Sequence, residues 1–159
     1  MFFVGLLPYW CSAYIITSRS PSTEAPSWLM ALCVLVYAVG LAVMLVSDVQ
    51  KYFTLRVKRG LIDDGMFALV RHPNYLGEMS LYGAFAALSQ HPAPWAVLSY
   101  VWLLVFLPNM LAKERSMSRY PTWAAYYART GMLLPSLRGL WRKLCACDKS
   151  EKGDKRDLS

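Results

Sequence analysis

Charged side chains are scarce in this 159-residue chain, at 17% of all residues, against about 25% in typical soluble proteins. Acidic residues are the scarcest of them, because ten Asp and Glu stand against seventeen Lys and Arg, for a net charge of +7. Hydrophobic residues make up 56% of the chain. This composition argues against a soluble domain and favours a membrane protein. The length suits a single domain.

Cysteine and histidine are also few, with four and two residues. Cys11 and Cys33 lie in apolar runs and are expected to be packing residues. Cys145 and Cys147 lie in a basic tail without a nearby histidine, so the sequence predicts no zinc site. Their position near a membrane segment leaves S-acylation and free thiols both open. No Gly-x-Gly-x-x-Gly run follows a strand, which argues against a Rossmann domain.

Where charged residues are missing, the sequence contains long uncharged runs. Residues 28–47 form a run of twenty uncharged residues, the length that crosses a bilayer as a helix. Residues 2–17, 79–88 and 95–111 are shorter apolar runs, and the prolines near residues 90–94 are expected to break the last two apart. The predicted fold is all-α, a multi-span membrane helical bundle with a polar cytosolic connection and an amphipathic tail.

Basic residues cluster in residues 48–78 and again after residue 111. Two basic regions separated by two apolar runs belong on one side of the membrane, the cytosolic side. No nucleic-acid partner is predicted, because these basic residues flank membrane segments and no nucleic-acid motif accompanies them. Residues 1–135 are expected to form the membrane-embedded domain, with its motifs in residues 48–135, and residues 136–159 a basic, disordered cytosolic tail.

The densest chemistry lies in residues 70–78, Val-Arg-His-Pro-Asn-Tyr-Leu-Gly-Glu. Polar side chains are costly beside lipid unless they face each other, a ligand or water. The central proline suits the first turn of a helix, on which Asn74 and Glu78 would lie one turn apart. Arg71 and His72 would then lie at the helix N-terminus, where anions bind. The run predicts a site for a phosphate and a polar ligand at a membrane surface.

Two further polar groups lie on the same predicted side. The first ends the long apolar run and comprises Asp48, Gln50, Lys51 and Arg56. The second follows the last apolar run and comprises Lys113, Glu114, Arg115, Tyr120, Tyr126, Tyr127, Arg129 and Thr130. The positive-inside rule alone explains the presence of Lys51 in the first group. Anchoring at the membrane interface explains each tyrosine of the second group taken individually. The aspartate is expected at a helix C-terminus, where the dipole disfavours an anion, which points to a bound ligand.

These residues together resemble the steroid 5-alpha-reductase and sterol reductase superfamily, and its DUF1295 branch in particular. The resemblance rests on Asp48-x-Gln50-Lys51, Arg56, Gly60-Leu61, Gly65-x-Phe67 and the run Arg71 to Glu78. It continues in Glu114, Tyr120-Pro121, Tyr127, Thr130 and Pro135. It implies an integral membrane enzyme of the endoplasmic reticulum, which uses NADPH to reduce a carbon–carbon double bond in a sterol or other lipid.

The resemblance also implies roles for individual residues. Glu78 would hold the nicotinamide amide or the carbonyl end of the substrate, and Tyr75 is the proton donor expected for such chemistry. No metal is implied. The residues expected to contact NADPH are Asp48, Arg56, Arg71, His72, Asn74, Glu114, Tyr127 and Arg129.

Two alternatives stay open. Isoprenylcysteine carboxyl methyltransferases and phospholipid methyltransferases carry a similar Arg-His-Pro-x-Tyr-x-Gly run and bind S-adenosylmethionine, although Asn74, Glu78 and the Asp48 motif favour the reductases. The other alternative is a non-catalytic membrane protein or a truncated family member. Family reductases have more spans before the region that matches Asp48, so the chain is expected to be a fragment, to complete its lipid cavity as a homo-oligomer, or to have lost activity.

Overall fold

The computed structural model describes residues 2–18, 25–57 and 59–136. These residues form helices α1 (Phe2–Ser18), α2 (Ser27–Val57), α3 (Pro73–Ser89), α4 (Pro92–Val101), α5 (Leu107–Met117) and α6 (Trp123–Arg129). Their β-structure is limited to one bridge between Val70 and Gly131, so the all-α prediction is confirmed. Cys145, Cys147 and the predicted tail lie outside the described residues, and the division of the chain near residue 135 stays a prediction.

Among the described residues, two helices are long and apolar enough to cross a membrane. They are α2 and the continuous helix Pro92–Met117, which joins α4 to α5. In the most apolar stretch of α2 only 11% of residues are buried, and Val34 and Leu35 are 68% and 60% exposed. A core helix of a soluble protein would bury most of such a stretch. The length and the outward apolar surface are the features expected of a spanning helix.

The helix α2 is longer than its apolar run, because it continues past Ser47 to Val57. Asp48 therefore lies within the helix, whereas the sequence predicts it at the C-terminal end of the helix. The argument from the helix dipole does not apply to its carboxylate, because the dipole acts within the last turn. The extension instead carries Asp48, Lys51 and Leu55 along one face of the helix, at spacings of three and four residues.

Two glycines bring the backbones of α2 and α3 into contact. A Cβ atom on Gly77 would lie 2.5 Å from the carbonyl oxygen of Gly40, and one on Gly40 would lie 2.8 Å from the Cβ atom of Ser80. Small residues permit this close approach of two helices. The contact sets the register of α3 against α2.

The residues at the two ends of α3 explain where this helix begins and ends. Pro73 occupies the first turn, where its missing N–H group costs nothing. Gln90 ends the helix in the left-handed conformation, with φ of 49°, and α4 begins two residues later at Pro92. The Nδ1 atom of His91 accepts a hydrogen bond of 3.1 Å from the backbone N–H of Ala93 and caps α4. The predicted break of the apolar hairpin is confirmed.

A π-helical turn at Trp102–Phe106 joins α4 to α5. Pro108, which follows it, cannot donate a backbone hydrogen bond to the preceding turn. A widened turn accommodates such a residue without ending the helix. The helix consequently passes Pro108 and continues to Met117, which carries Lys113 and Glu114 towards the start of α3. The apolar core between α3 and these helices includes Tyr75, Tyr82, Leu98, Val101, Phe106 and Met110.

Candidate functional site

Arg71 is the centre of a buried polar cluster. Its Nε atom donates to Oε1 of Glu114 at 2.6 Å, and its Nη1 atom donates to the carbonyl oxygen of Thr130 at 2.5 Å. The guanidinium group lies 4.2 Å from the ring centroid of Tyr127, and the residue is 7% exposed. Arg71 thereby joins the start of α3 to α5 and to the end of α6.

Backbone and tyrosine hydrogen bonds reinforce this junction. The N–H groups of Arg71 and His72 donate to the carbonyl oxygens of Gly131 and Met132, at 2.8 and 3.1 Å. The Tyr126 hydroxyl donates to the carbonyl oxygen of Phe67 at 3.0 Å. Burial raises the pKa of Tyr126 to about 12, so its hydroxyl remains a donor at neutral pH. The segment before α3 is thus held against the chain around α6.

His72 is buried, at 3% exposure, beside the same cluster. Its Nε2 atom lies 3.6 Å from Oε1 of Glu114 and has no hydrogen-bond partner among the described residues. Burial lowers its pKa to about 4, although the charge of Glu114 opposes the shift. The imidazole is therefore neutral at pH 7 and can offer one donor and one acceptor.

Lys113 and Tyr75 meet at the inner end of the site. The Nζ atom of Lys113 donates to the Tyr75 hydroxyl oxygen at 3.1 Å. The ring of Tyr75 is buried and packs edge-to-face on His72 and Phe106, with centroids 5.8 and 5.0 Å apart. The charge of Lys113 also acts on His72, Glu78 and Lys51. Lys113 is the cation that connects the polar groups of α2 and α3.

Asn74 and Glu78 lie one turn apart on α3, as the sequence predicted for a helix that begins at Pro73. Glu78 is half-buried and accepts a hydrogen bond from the Tyr82 hydroxyl at 3.3 Å. The charges of Asp48 and Lys113 act on its carboxylate. An amide and a carboxylate at this spacing can hold a polar ligand from two sides.

A cleft of about 250 Å³ lies where α2, α3 and α5 meet. Its walls bring together residues from all three polar groups of the sequence. The lining includes Lys51, Phe67, Arg71, His72, Asn74, Lys113, Arg119, Tyr120 and Tyr126.

Several residues expected to bind a cofactor lie elsewhere. Arg56 is exposed on α2, where its Nη1 atom lies 3.5 Å from the Tyr52 hydroxyl. Arg129 forms an exposed ion pair with Asp63 at 2.5 Å. Glu114, Tyr127 and Asp48 are not among the residues that line the cleft. Their cofactor contacts stay predictions, and the geometry gives the glutamate and the tyrosine a part in holding Arg71 in place.

Residues 2–130 match a family described as "Protein of unknown function (DUF1295)". The chain belongs to the DUF1295 family. That family is part of the steroid 5-alpha-reductase-like superfamily, so the resemblance found in the sequence is confirmed.

One curated relative is the "Uncharacterized protein C594.04c" of Schizosaccharomyces pombe. It is 30% identical to this chain over 110 residues, which are 65% of the chain and 32% of the relative. The chain therefore spans about a third of the length of that relative. No solved structure matches the chain.

The cleft residues that were not among the predicted cofactor contacts include Lys51, Lys113, Arg119, Tyr120 and Tyr126. The sequence contains a signal for Lys113, because Phe106, Met110 and Lys113 follow one another at spacings of four and three residues. On a continuous helix such residues share one face, and this face packs on Tyr75. Lys51 shares a face with Asp48 in the same way.

An apolar pocket of about 310 Å³ lies between α3 and the helix Pro92–Met117. Phe106 belongs to its wall, and the same ring contacts Tyr75. The indole N–H group of Trp102, another wall residue, has no partner among the described residues. The remaining wall is formed by Met79, Ser99, Leu103, Leu107, Met110 and Leu133. Tyr75 thus contacts wall residues of both the apolar pocket and the basic cleft.

Proposed function

We propose that this protein is a membrane-bound reductase that uses NADPH to reduce a carbon–carbon double bond in a sterol or other lipid. The observation that carries the proposal is the charge of the cleft. Lys51, Lys113 and Arg119 line it, and none of the three forms an ion pair with another described residue. Cations that are not held in ion pairs suit a ligand with several anionic groups, such as the pyrophosphate and 2′-phosphate of NADPH.

The uncharged residues of the cleft suit the rest of that cofactor. Tyr120 and Tyr126 offer aromatic rings to a nucleotide, and the neutral imidazole of His72 has an unpaired nitrogen. Asn74 lines the cleft, and Glu78, one turn further along α3 but outside that lining, adds a carboxylate. Together they provide donors and acceptors that complement a carboxamide. When bound, NADPH supplies a hydride for an electron-poor carbon.

A reduction also needs a proton, and in this proposal Tyr75 provides it. Its hydroxyl oxygen accepts a hydrogen bond from Lys113 at 3.1 Å, which leaves the phenolic proton for donation to a substrate. The positive charge of Lys113 compensates the negative charge that donation leaves on the oxygen.

The lipid part of the proposal is supported by the apolar surfaces. The apolar pocket borders Tyr75 through Phe106, and Leu103 in its wall is 61% exposed on a helix long enough to span a membrane. In the proposal α2 and Pro92–Met117 span the endoplasmic reticulum membrane, and the cleft faces the cytosol. A lipid can then enter the pocket sideways, while the nucleotide enters from water.

The test is a titration of the detergent-purified protein with NADPH and, separately, with S-adenosylmethionine. We expect NADPH to bind and Lys51→Ala to weaken it about tenfold, the usual worth of one charge-assisted contact. Arg115→Ala is the control, because Arg115 is an exposed cation of α5 and is not among the cleft residues.

S-adenosylmethionine carries a positive sulfonium and no phosphate, so the three cations of the cleft disfavour it. Binding of this methyl donor alone would overturn the proposal in favour of a methyltransferase. Binding of neither compound would contradict both enzyme functions and favour a non-catalytic membrane protein.

A further inference from the structure

We infer that Arg119, which packs on the ring of Tyr120, selects NADPH over NADH by binding the 2′-phosphate. The inference rests on the proposed function and deepens it. Its starting observation is that the cleft is basic at two separate places, whereas a single phosphate would need only one.

The first basic place is the inner end, around Lys51 and Lys113. The charges of these two lysines act on each other, and Lys113 donates to the buried Tyr75 hydroxyl and acts on Glu78. Lysine is a compact point charge that suits a pyrophosphate without fixing its orientation. The nearby proton donor and carboxylate mark this end as the one where reduction occurs.

The second basic place is Arg119, which is exposed in the turn that follows α5. Arg119 lines the same cleft but lies beyond the end of α5 at Met117, whereas Lys113 lies within that helix, one turn before its end. Arg119 therefore lies away from the inner cations. A ligand that contacts both ends must carry two separated anionic groups, as NADPH does and NADH does not.

The contact with Tyr120 suits Arg119 to phosphate. The guanidinium carbon lies 5.3 Å from the centroid of the Tyr120 ring. An arginine held over an aromatic face keeps the N–H groups at its edge available, and that planar edge can bind two phosphate oxygens at once. The 2′-phosphate lies on the adenosine end of NADPH, remote from the nicotinamide, which matches an anchor remote from Tyr75 and Glu78.

The experiment compares dissociation constants for NADPH and NADH in four full-length proteins: the unaltered chain, Arg119→Ala, Arg119→Lys and Arg115→Ala. Arg115 is the control, because it is exposed on α5 and is not among the cleft residues. We expect the unaltered chain to prefer NADPH. Arg119→Ala should weaken NADPH about ten- to a hundredfold and leave NADH unchanged, while Arg119→Lys should keep part of the preference.

The NADH affinity of each variant also reports whether the cleft is still folded. Equal affinity of the unaltered chain for the two dinucleotides, or equal losses in Arg119→Ala, would overturn this inference and leave the proposed function standing. A loss in Arg115→Ala as large as that in Arg119→Ala would overturn it too, because it would show a general charge effect. If the unaltered chain binds neither dinucleotide, the proposed function fails and the inference fails with it.

Discussion

The outer face of α2 and the cluster around Arg71 reverse the usual distribution of side chains. Val34 and Leu35 are largely exposed, whereas Arg71, His72 and Thr130 are buried. In soluble proteins apolar residues fill the interior and arginine is almost never fully buried. The outer face therefore suits a lipid environment, in which another apolar side chain serves equally well. The cluster depends on particular atoms, so the two regions should respond very differently to substitution.

The largest effect is expected from Arg71→Ala. This change removes the partner of Glu114, whose side chain is only 13% exposed, and leaves a buried carboxylate without its ion pair. Breaking a buried pair in this way costs about 3–5 kcal/mol. Thermal unfolding followed by circular dichroism in detergent measures the loss.

Arg129→Ala is the matched control for Arg71→Ala. It breaks the ion pair with Asp63, whose side chains are 46% and 50% exposed, and exposed pairs contribute about 0–1 kcal/mol. Similar losses of stability in the two variants would show that the buried ion pair of Arg71 contributes no more than an exposed one.

The second effect is a dependence of stability on pH that originates in His72. Its pKa is lowered from 6.5 to about 4 in the folded chain, so between these values the unfolded chain binds more protons. The contribution of His72 to the free energy of unfolding is therefore fully present above pH 6.5 and is lost as the pH falls towards 4. At 1.36 kcal/mol for each pKa unit, this loss is about 3 kcal/mol.

Unfolding curves at several pH values test this dependence. His72→Gln should flatten the slope between pH 6.5 and 4. The chain has two histidines, and His91→Gln, at the exposed start of α4, should keep the slope. A slope that survives in His72→Gln would assign the effect to other groups.

The smallest effect concerns the contact between α2 and α3. In Gly77→Ala the new Cβ atom would lie 2.5 Å from the Gly40 carbonyl oxygen, and overpacking of this kind costs about 1–3 kcal/mol. A gain in helix propensity of about 1 kcal/mol offsets part of that cost. We expect net destabilisation in the same unfolding assay.

Gly83→Ala is the companion to Gly77→Ala on the same helix. A Cβ atom at Gly83 meets nothing within 4 Å, so the propensity gain of up to about 1 kcal/mol should appear alone. Opposite signs for the two substitutions would confirm the glycine contact, and the same sign would argue against it.

Local features of the fold were accessible to sequence reasoning. The start of α3 at Pro73 and the break between Ser89 and Pro92 depend on proline and on the residues beside it, so a short stretch of sequence is enough to predict them. Two boundaries were not accessible in this way. The extension of α2 to Val57 and the passage of the helix beyond Pro108 depend on packing and on a widened turn.

In the candidate site, too, some features are predictable from a short stretch of sequence and others depend on packing. The sequence indicated the polar run that begins at Arg71, but it did not indicate that the guanidinium group is occupied by Glu114 and Thr130, 43 and 59 residues away. It treated Lys51 as a topology signal, because an isolated lysine after an apolar run has that simpler explanation. Only the tertiary structure shows that this lysine lines the cleft together with Lys113.

By itself, the sequence determined the all-α class, the long apolar helices and the polar run, because each of these depends on composition or on spacing within a few turns. It also indicated the family, through the resemblance of its motifs. The tertiary structure alone decided which cations share a cleft and which arginine is enclosed. Those facts depend on the register of α2 against α3, which the contact of Gly40 with Gly77 sets, and on hydrogen bonds between residues distant in the chain. A local pattern contains no information about either.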